Sequence, residues 1–154
     1  MIDIDYIVLK TLMRSEGGLK IGEIKKILDN DCFLTHLEIF HDNGISHSTL
    51  GSCIKRLKKK GYVDYEPYHK AILTQYGFEL AKELNRHSRL LEVLLFNELG
   101  LSSKKSHQES EKLSFLLSCE IINKICEKYG HPKKCPCGEP ILNSQVCACS
   151  ERDL

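Results

Sequence analysis

Apolar residues recur every three or four positions along most of this chain. Glycines lie between the segments that have this periodicity. This spacing is typical of helices that bury one face. Ser46 can cap the third segment, and Gly61 can end it. The pattern predicts helices at residues 4–15, 21–28, 46–60, 75–99 and 106–129.

The periodicity changes after Gly61. Residues 62–66 and 71–74 read as two short strands, joined by the turn residues 67–70. Three helices followed by a hairpin are the element order of a winged helix-turn-helix. We therefore predict a mainly α fold with three parts. They are a winged helix-turn-helix DNA-binding domain at 1–76, an α-helical dimerisation domain at 77–132, and a short cysteine-rich tail at 133–154.

Charge and composition narrow the function classes. The net charge is only +1, so any basic surface must be local. The first residues, MIDIDYIVLK, lack the basic and apolar regions of a signal peptide, and no stretch has the roughly 18 apolar residues of a membrane helix. We expect a cytoplasmic protein without a membrane partner. Thiols stay reduced in the cytoplasm, and clustered cysteines there bind metals more often than they form disulfides. We therefore expect clusters among the eight cysteines of this chain to bind metal.

The helix predicted at 46–60 has the composition of a DNA-recognition helix. Short polar side chains, which can meet base edges, lie near its start, and basic side chains, which can meet phosphates, lie near its end. The wing-like hairpin that follows favours a DNA-recognition helix over an ordinary helix with a solvated basic face. The candidate DNA-binding residues are Ser46, His47, Ser48, Thr49, Ser52, Lys55, Arg56, Lys58 and Lys59.

The tail carries two Cys-x-Cys pairs, Cys135 with Cys137 and Cys147 with Cys149. In an extended segment alternate residues lie on the same face, so both thiols of a pair can converge on one centre. Four thiolates can bind a tetrahedral zinc ion or an iron–sulfur cluster, and the spacing does not choose between them. A disordered tail of free thiols is the alternative. The scattered cysteines, Cys32, Cys53, Cys119 and Cys126, are expected to be buried free thiols.

Three stretches carry a family resemblance. Residues 61–81 read GYVDYEPYHKAILTQYGFELA, residues 85–92 read NRHSRLLE, and residues 130–141 read GHPKKCPCGEPI. They resemble the diphtheria-toxin-repressor family of iron- and manganese-dependent transcription regulators. The resemblance covers most of residues 3–141. It implies a winged-helix domain, a helical dimerisation domain, and a homodimer that binds a palindromic operator in double-stranded DNA. The family's SH3-like module is not expected here, because the chain stops at Leu154.

The resemblance also implies metal ligands from the first helix, the helix after the wing and the dimerisation helix. Four positions match and keep a ligating side chain: Asp5, Glu92, His107 and Glu111. Four others have lost it. Val8 stands for an acidic ligand, and Ser114-Phe115 replace a Glu-His pair. Ser88 stands for a histidine, while His87 is one position off, which turns its ring by about 100° around the helix.

The primary family site thus keeps at most Asp5 and Glu111, too few for a tight Fe²⁺ or Mn²⁺ site. Glu92, His107 and Glu111 can equally be ordinary surface polar groups. A second departure is an insertion at about 30–44, between two helices that the family joins by a few residues.

The sequence therefore predicts a DNA-binding regulator whose sensing or structural site is the four-cysteine centre. The alternative is a dimeric protein-interaction module with a structural zinc and no sequence-specific DNA binding. No nucleophile–base pair or oxyanion site is recognisable, so we do not expect an enzyme.

Overall fold

The computed structural model describes residues 4–31 and 44–143, except for the side chain of Phe115. Most of the predicted insertion at 30–44 lies outside the described residues, as do Cys32, Cys147 and Cys149. The chain divides into two compact units, Met1–Ala81 and Lys82–Leu154. None of the helices within the described ranges is long and apolar enough to cross a membrane.

The described part of the first unit contains three helices and a hairpin, in the predicted order, before the start of the next long helix. The helices are α1 (Ile4–Met13), α2 (Ile21–Asp29) and α3 (His47–Lys59). The strands β1 (Val63–Asp64) and β2 (Ile72–Leu73) pair antiparallel, with Val63 opposite Leu73 and Asp64 opposite Ile72. The expected helical stripes form the core of this unit, since Val8, Leu12, Ile24, Leu50, Ile54 and Leu57 are all buried.

Helix α4 (Gln75–Leu99) begins directly after the hairpin. Gly77, in its first turn, lies against the backbone of Tyr62 at the start of the hairpin. A Cβ atom at position 77 would be 1.9 Å from the Tyr62 carbonyl oxygen, so only glycine fits there. This close approach fixes how α4 leaves the hairpin.

In the second unit, α4 is followed by α5 (Ser103–Leu113), a 3₁₀ turn (Ser114–Leu116) and α6 (Cys119–Lys128). The core of this unit joins α4, α6 and the segment after α6. Its buried members are Leu90, Val93, Ile122, Ile125, Cys126, Cys135 and Ile141.

The prediction of one continuous helix at 106–129 is wrong. Leu117 has an extended backbone, with φ −89° and ψ 138°, and a new helix starts after Ser118, whose side chain accepts a hydrogen bond from the Ile121 amide. Serine at an N-cap competes with helix continuation because its side chain can satisfy a free backbone amide. The break also changes the apolar face: Ile122 is buried, whereas Leu116 and Ile121 are exposed.

The start of the tail packs onto the second unit. Cys135 and Ile141 are buried in its core, and a bridge pairs Lys134 with Pro140. The Gly138 amide donates to the Cys135 carbonyl at 2.9 Å, and Gly138 has φ +90°, a region that suits glycine. This tight turn holds Cys135 and Cys137 in a defined arrangement.

Candidate metal centre and nucleic-acid interface

Helix α3 presents its predicted DNA-binding residues to solvent. Ser46 is the N-cap, as expected, and its side chain accepts a hydrogen bond from the Thr49 amide at 3.0 Å. All nine of the candidate residues from Ser46 to Lys59 are exposed, while the opposite face of the helix is buried in the core. The polar and basic groups are therefore available to a partner.

Two of the basic residues of α3 are engaged within the protein. Arg56 binds the Asp5 carboxylate through two nitrogens, Nη2 at 2.5 Å and Nε at 3.2 Å. Lys58 Nζ binds Glu66 at 2.8 Å and the Tyr65 carbonyl at 2.6 Å, which ties the helix to the wing. The Lys58 ammonium lowers the pKa of the exposed Glu66 carboxyl.

Lys55 and Lys59 differ from these two residues. Among the described residues, neither makes an ion pair, and both side chains are exposed. Their ammonium groups are therefore the cations of α3 that are available for phosphates without breaking an internal contact.

Uncharged side chains occupy the positions at which the family has metal ligands that this chain has lost. Ser88 Oγ donates to Ser114 Oγ at 3.0 Å, and both residues are buried. Val8 is fully buried in the core of the first unit. A valine and two hydrogen-bonded hydroxyls stand where the resemblance would place two carboxylates and an imidazole.

The two remaining residues of that family site belong to different units. Asp5 lies in the first unit and is bound by Arg56, and Glu111 lies on α5 in the second unit. The arrangement of Asp5 supports a role in holding α3 in place.

A different set of ligating residues does come together in the second unit. Glu92 lies on α4, His107 on α5 and Cys137 in the turn after α6. One potential ligand atom from each lies within 4.8 Å of the others, and we call these residues the Glu92–His107–Cys137 cluster. His107 Nδ1 is 3.3 Å, and Cys137 Sγ 3.6 Å, from Glu92 Oε2. The Cys137 amide also donates to Glu92 Oε1 at 3.1 Å.

These separations match those between the ligands of a tetrahedral metal ion. A Zn²⁺ ion at its usual bond lengths would hold a carboxylate oxygen and an imidazole nitrogen about 3.3 Å apart, and the oxygen and a thiolate sulfur about 3.5 Å apart. The Sγ atoms of Cys135 and Cys137 are 2.8 Å apart, so a second sulfur lies next to the cluster. The donor set therefore fits a metal ion.

Arg89 holds the centre of this cluster. Its Nη1 atom lies 3.4 Å from Glu92 Oε2, 3.0 Å from His107 Nδ1 and 3.5 Å from Cys137 Sγ. Arg89 is buried, and its Nε atom has no hydrogen-bond partner in the described part of the chain. One guanidinium nitrogen thus stands among three donor atoms, where a metal cation would be bound.

The environment shifts the proton affinities of the cluster in opposite directions. Burial raises the pKa of Glu92, but hydrogen bonds from His107 and Cys137 and the charges of His107 and Arg89 outweigh it, so the net pKa lies below the usual 4.5. Cys137 is exposed as a residue, yet its sulfur packs against Cys135 and Glu92. Loss of hydration, followed by these two contacts, raises its pKa to about 12. The cluster holds a carboxylate and a neutral thiol at neutral pH.

The sequence marks each of these three residues as a candidate ligand, but it does not predict that they lie in one site. From the sequence, Cys137 is predicted to belong to a four-cysteine centre, whereas Glu92 and His107 are either remnants of the family site or ordinary surface groups. The turn at Gly138 brings Cys137 to Glu92 across 45 positions of sequence. The Cys-x-Cys pair is the signal in the sequence that this turn could supply a ligand.

Comparison with known proteins agrees with the motifs. Residues 74–143 match the family described as the iron dependent repressor, metal binding and dimerisation domain. An uncharacterised HTH-type transcriptional regulator, MJ0568 of Methanocaldococcus jannaschii, is 36% identical over 81 residues, which cover 53% of this chain and 65% of that protein. The diphtheria toxin repressor of Corynebacterium glutamicum is 29% identical over 96 residues, covering 62% of this chain and 42% of the repressor.

A solved structure shows the same fold. A manganese-dependent transcriptional repressor in complex with manganese superposes with a TM-score of 0.73 and 28% identity, covering 93% of this chain and 61% of that one. The chain therefore spans less than two thirds of the length of each of these relatives. The named relatives are transcriptional regulators, in agreement with the prediction that the chain is not an enzyme. By its motifs, its matched domain and its fold, the chain is similar to metal-dependent transcription regulators such as the diphtheria toxin repressor, and the family match itself covers residues 74–143.

Proposed function

We propose that this protein is a homodimeric DNA-binding regulator controlled by a metal ion at the Glu92–His107–Cys137 cluster. The observation that carries the proposal is the position of Arg89, whose Nη1 lies within 3.5 Å of all three donor atoms. The buried Arg89 guanidinium is a cation that balances the charge of the cluster. A metal ion would displace the Arg89 guanidinium, because it binds the same three donor atoms more strongly.

The donors favour a borderline metal. A carboxylate, an imidazole and a thiolate together suit Zn²⁺ or Fe²⁺, whereas Mn²⁺ prefers oxygen-rich sites. Cys135 is the nearest further thiol, with its sulfur 2.8 Å from that of Cys137. Two thiolates on a tetrahedral zinc lie about 3.8 Å apart, so Cys135 would have to move away from Cys137 to supply a fourth ligand. Cys147 and Cys149 remain proposed ligands of the four-cysteine centre, which would take zinc or an iron–sulfur cluster.

The cluster can act as a switch because its three residues come from three separate segments. Glu92 and Arg89 lie on α4, His107 on α5, and Cys137 in the turn after α6. A metal bound to all three draws these segments together and favours one arrangement of the second unit, which is a population shift. Helix α4 also includes residues 75–81 of the first unit, so it offers a continuous path for this effect.

DNA binding is assigned to α3 and the wing. The polar start of α3 would face base edges, and Lys55 and Lys59 would neutralise phosphates on a palindromic operator. A homodimer supplies the two recognition helices. Leu113, Leu116 and Ile121 are exposed apolar residues near the break between α5 and α6, and a second copy of the chain would cover them.

Salt-dependent DNA binding tests this assignment. The zinc-loaded protein should bind mixed-sequence duplex DNA at low salt, with an affinity that falls steeply as salt rises, because counterions are released from each neutralised phosphate. The absence of binding in both the zinc-loaded and the metal-free state would instead support the alternative, a dimeric interaction module. Fluorescence anisotropy with a labelled duplex provides the readout.

The metal itself is identified by analysis of anaerobically purified protein. A colourless protein with bound zinc supports a zinc centre, and zinc that stays bound after Cys147→Ser and Cys149→Ser supports the mixed donor cluster over a four-cysteine site. A coloured protein with iron and acid-labile sulfide would place an iron–sulfur cluster on the four cysteines instead. A protein that binds neither metal after reconstitution contradicts both forms of the centre.

A further inference from the structure

We infer that a second metal site, separate from the Glu92–His107–Cys137 cluster, is formed by Glu83, His87 and Cys119. Glu83 and His87 lie one turn apart on α4, and Cys119 is the first residue of α6. One ligand atom from each lies within 4.8 Å of the others. The chemistry of the three side chains selects Zn²⁺ or a similar borderline divalent cation.

The distances between the three donor atoms are those of a metal tetrahedron. His87 Nε2 lies 3.1 Å from Glu83 Oε1, Cys119 Sγ lies 3.4 Å from His87 Nε2, and Cys119 Sγ lies 3.7 Å from Glu83 Oε1. Tetrahedral Zn²⁺ would place these pairs about 3.3, 3.6 and 3.5 Å apart. Each observed distance differs from its expected value by about 0.2 Å, so a metal ion needs little rearrangement of the side chains.

Burial distinguishes this site from a chance surface group. Glu83 is 4% and His87 1% exposed, whereas Cys119 is partly exposed. Two ligands are therefore held rigidly on one helix, and the third lies at the surface, where an ion can enter. Glu83 and His87 alone could be an ordinary hydrogen-bonded pair in the core. The Cys119 thiol, which lies within 3.7 Å of both, adds a third metal ligand.

One cation, Arg86, already neighbours the site, and a metal ion would have to displace its contact with Glu83. Arg86 Nη1 lies 3.3 Å from Glu83 Oε1, and its other terminal nitrogen, Nη2, donates to Asn123 Oδ1 at 2.9 Å. Arg86 can therefore keep its contact with α6 when a metal takes over the Glu83 oxygen. The remaining negative charge of Glu83 and a Cys119 thiolate together balance a divalent ion.

The proposed site would connect α4 to the first residue of α6. His87 is the residue that falls one position off the family pattern, and the same rotation that removes it from the family site directs it towards Cys119. Three protein ligands leave a fourth position for water or an external thiol. Metal binding here would stabilise the second unit whether or not the protein binds DNA.

Cobalt provides the test, because a Co²⁺–thiolate bond gives a charge-transfer band that zinc lacks. The full chain with Cys135, Cys137, Cys147 and Cys149 all changed to alanine should bind one Co²⁺ ion and show that band. Adding Cys119→Ser should abolish the band, whereas the matched change Cys126→Ser on the same helix should leave it. A band that survives Cys119→Ser, or no Co²⁺ binding with a band in the alanine variant, would overturn the inference.

A second measurement covers the case in which four substitutions unfold the protein, which circular dichroism would reveal. In the otherwise unchanged chain, Cys119→Ser should lower the Co²⁺ stoichiometry by one while the affinity of the remaining site stays the same. An unchanged stoichiometry would contradict the site. Neither cobalt measurement depends on DNA binding. The second metal site and the proposed DNA-binding function can therefore be contradicted independently of each other.

Discussion

Arg89 has two opposed effects on the cluster around it. Its guanidinium compensates Glu92, a fully buried carboxylate, and it competes with any metal for the same three donor atoms. A buried carboxylate that loses its partner is costly, so the metal-free protein needs a cation at this place.

Replacing Arg89 therefore should have opposite consequences for the two states. Arg89→Met should lower the melting temperature of the metal-free protein and tighten zinc binding at this cluster by about tenfold, or about 1.4 kcal/mol. Competitive titration against a chelator of known affinity measures the second effect. Arg14→Met, the same change at an exposed position outside the cluster, should alter neither. Weaker zinc binding in Arg89→Met would show that the guanidinium helps to hold the ion.

Cys137 makes metal binding depend on pH. Its pKa of about 12 keeps the thiol protonated at neutral pH, whereas a metal ligand must be the thiolate, so binding releases one proton from this group. Glu92, with its lowered pKa, is already ionised and releases none. Zinc affinity should therefore rise with pH between about 6 and 8, and Cys137→Ser should reduce the slope by about one decade per pH unit. Equal slopes in the two proteins would exclude Cys137 as a ligand.

At the scale of elements, the sequence predicted the first unit well. Ser46 caps α3, Gly61 follows its end, and the wing pairs in the expected place. These features depend on local chemistry, such as capping and alternation, that neighbouring residues determine. The prediction failed between α5 and α6 because apolar residues continue at helical spacing through Leu117, where only the cap at Ser118 signals the break.

The junction between the hairpin and α4 provides a stability test. Gly77→Ala should destabilise the protein by about 2 kcal/mol or more, because a Cβ atom there would collide with the Tyr62 carbonyl. Gly51→Ala on α3 is the matched control. Apart from its chain neighbours and the backbone of its own helix, no described atom lies within 4 Å of a Cβ atom at position 51, so alanine should be neutral or stabilising by about 0.5–1 kcal/mol. Urea unfolding of both variants measures the difference, and similar effects would contradict the close contact.

The basic end of α3 offers a test of the DNA interface. Lys59→Gln should weaken DNA binding across sequences and reduce the slope of log affinity against log salt by about one, as expected for the loss of one phosphate contact. Lys104→Gln, which removes an exposed lysine on α5, should change neither quantity. An unaltered salt slope in Lys59→Gln would remove the end of α3 from the interface.

At the scale of the whole molecule, the candidate metal centre depends on contacts that local patterns cannot reveal. Glu92 and His107 are separated by 15 positions, and Cys137 follows Glu92 by 45. The family motifs located the first two residues and predicted that the primary family site is lost, since Val8 and Ser114 cannot replace its ligands. The position of Cys137 required the folded turn, because the same sequence could direct the thiol towards Cys147 and Cys149.

The most direct measurement of the central claim is the affinity for operator-like DNA with and without zinc, in the unchanged protein and in Cys137→Ser. Zinc should change the affinity of the unchanged protein by at least about tenfold, or about 1.4 kcal/mol of coupling. The same addition should have little effect on Cys137→Ser, although the metal-free proteins bind alike. An equal zinc response in both proteins would contradict control of DNA binding through the Glu92–His107–Cys137 cluster.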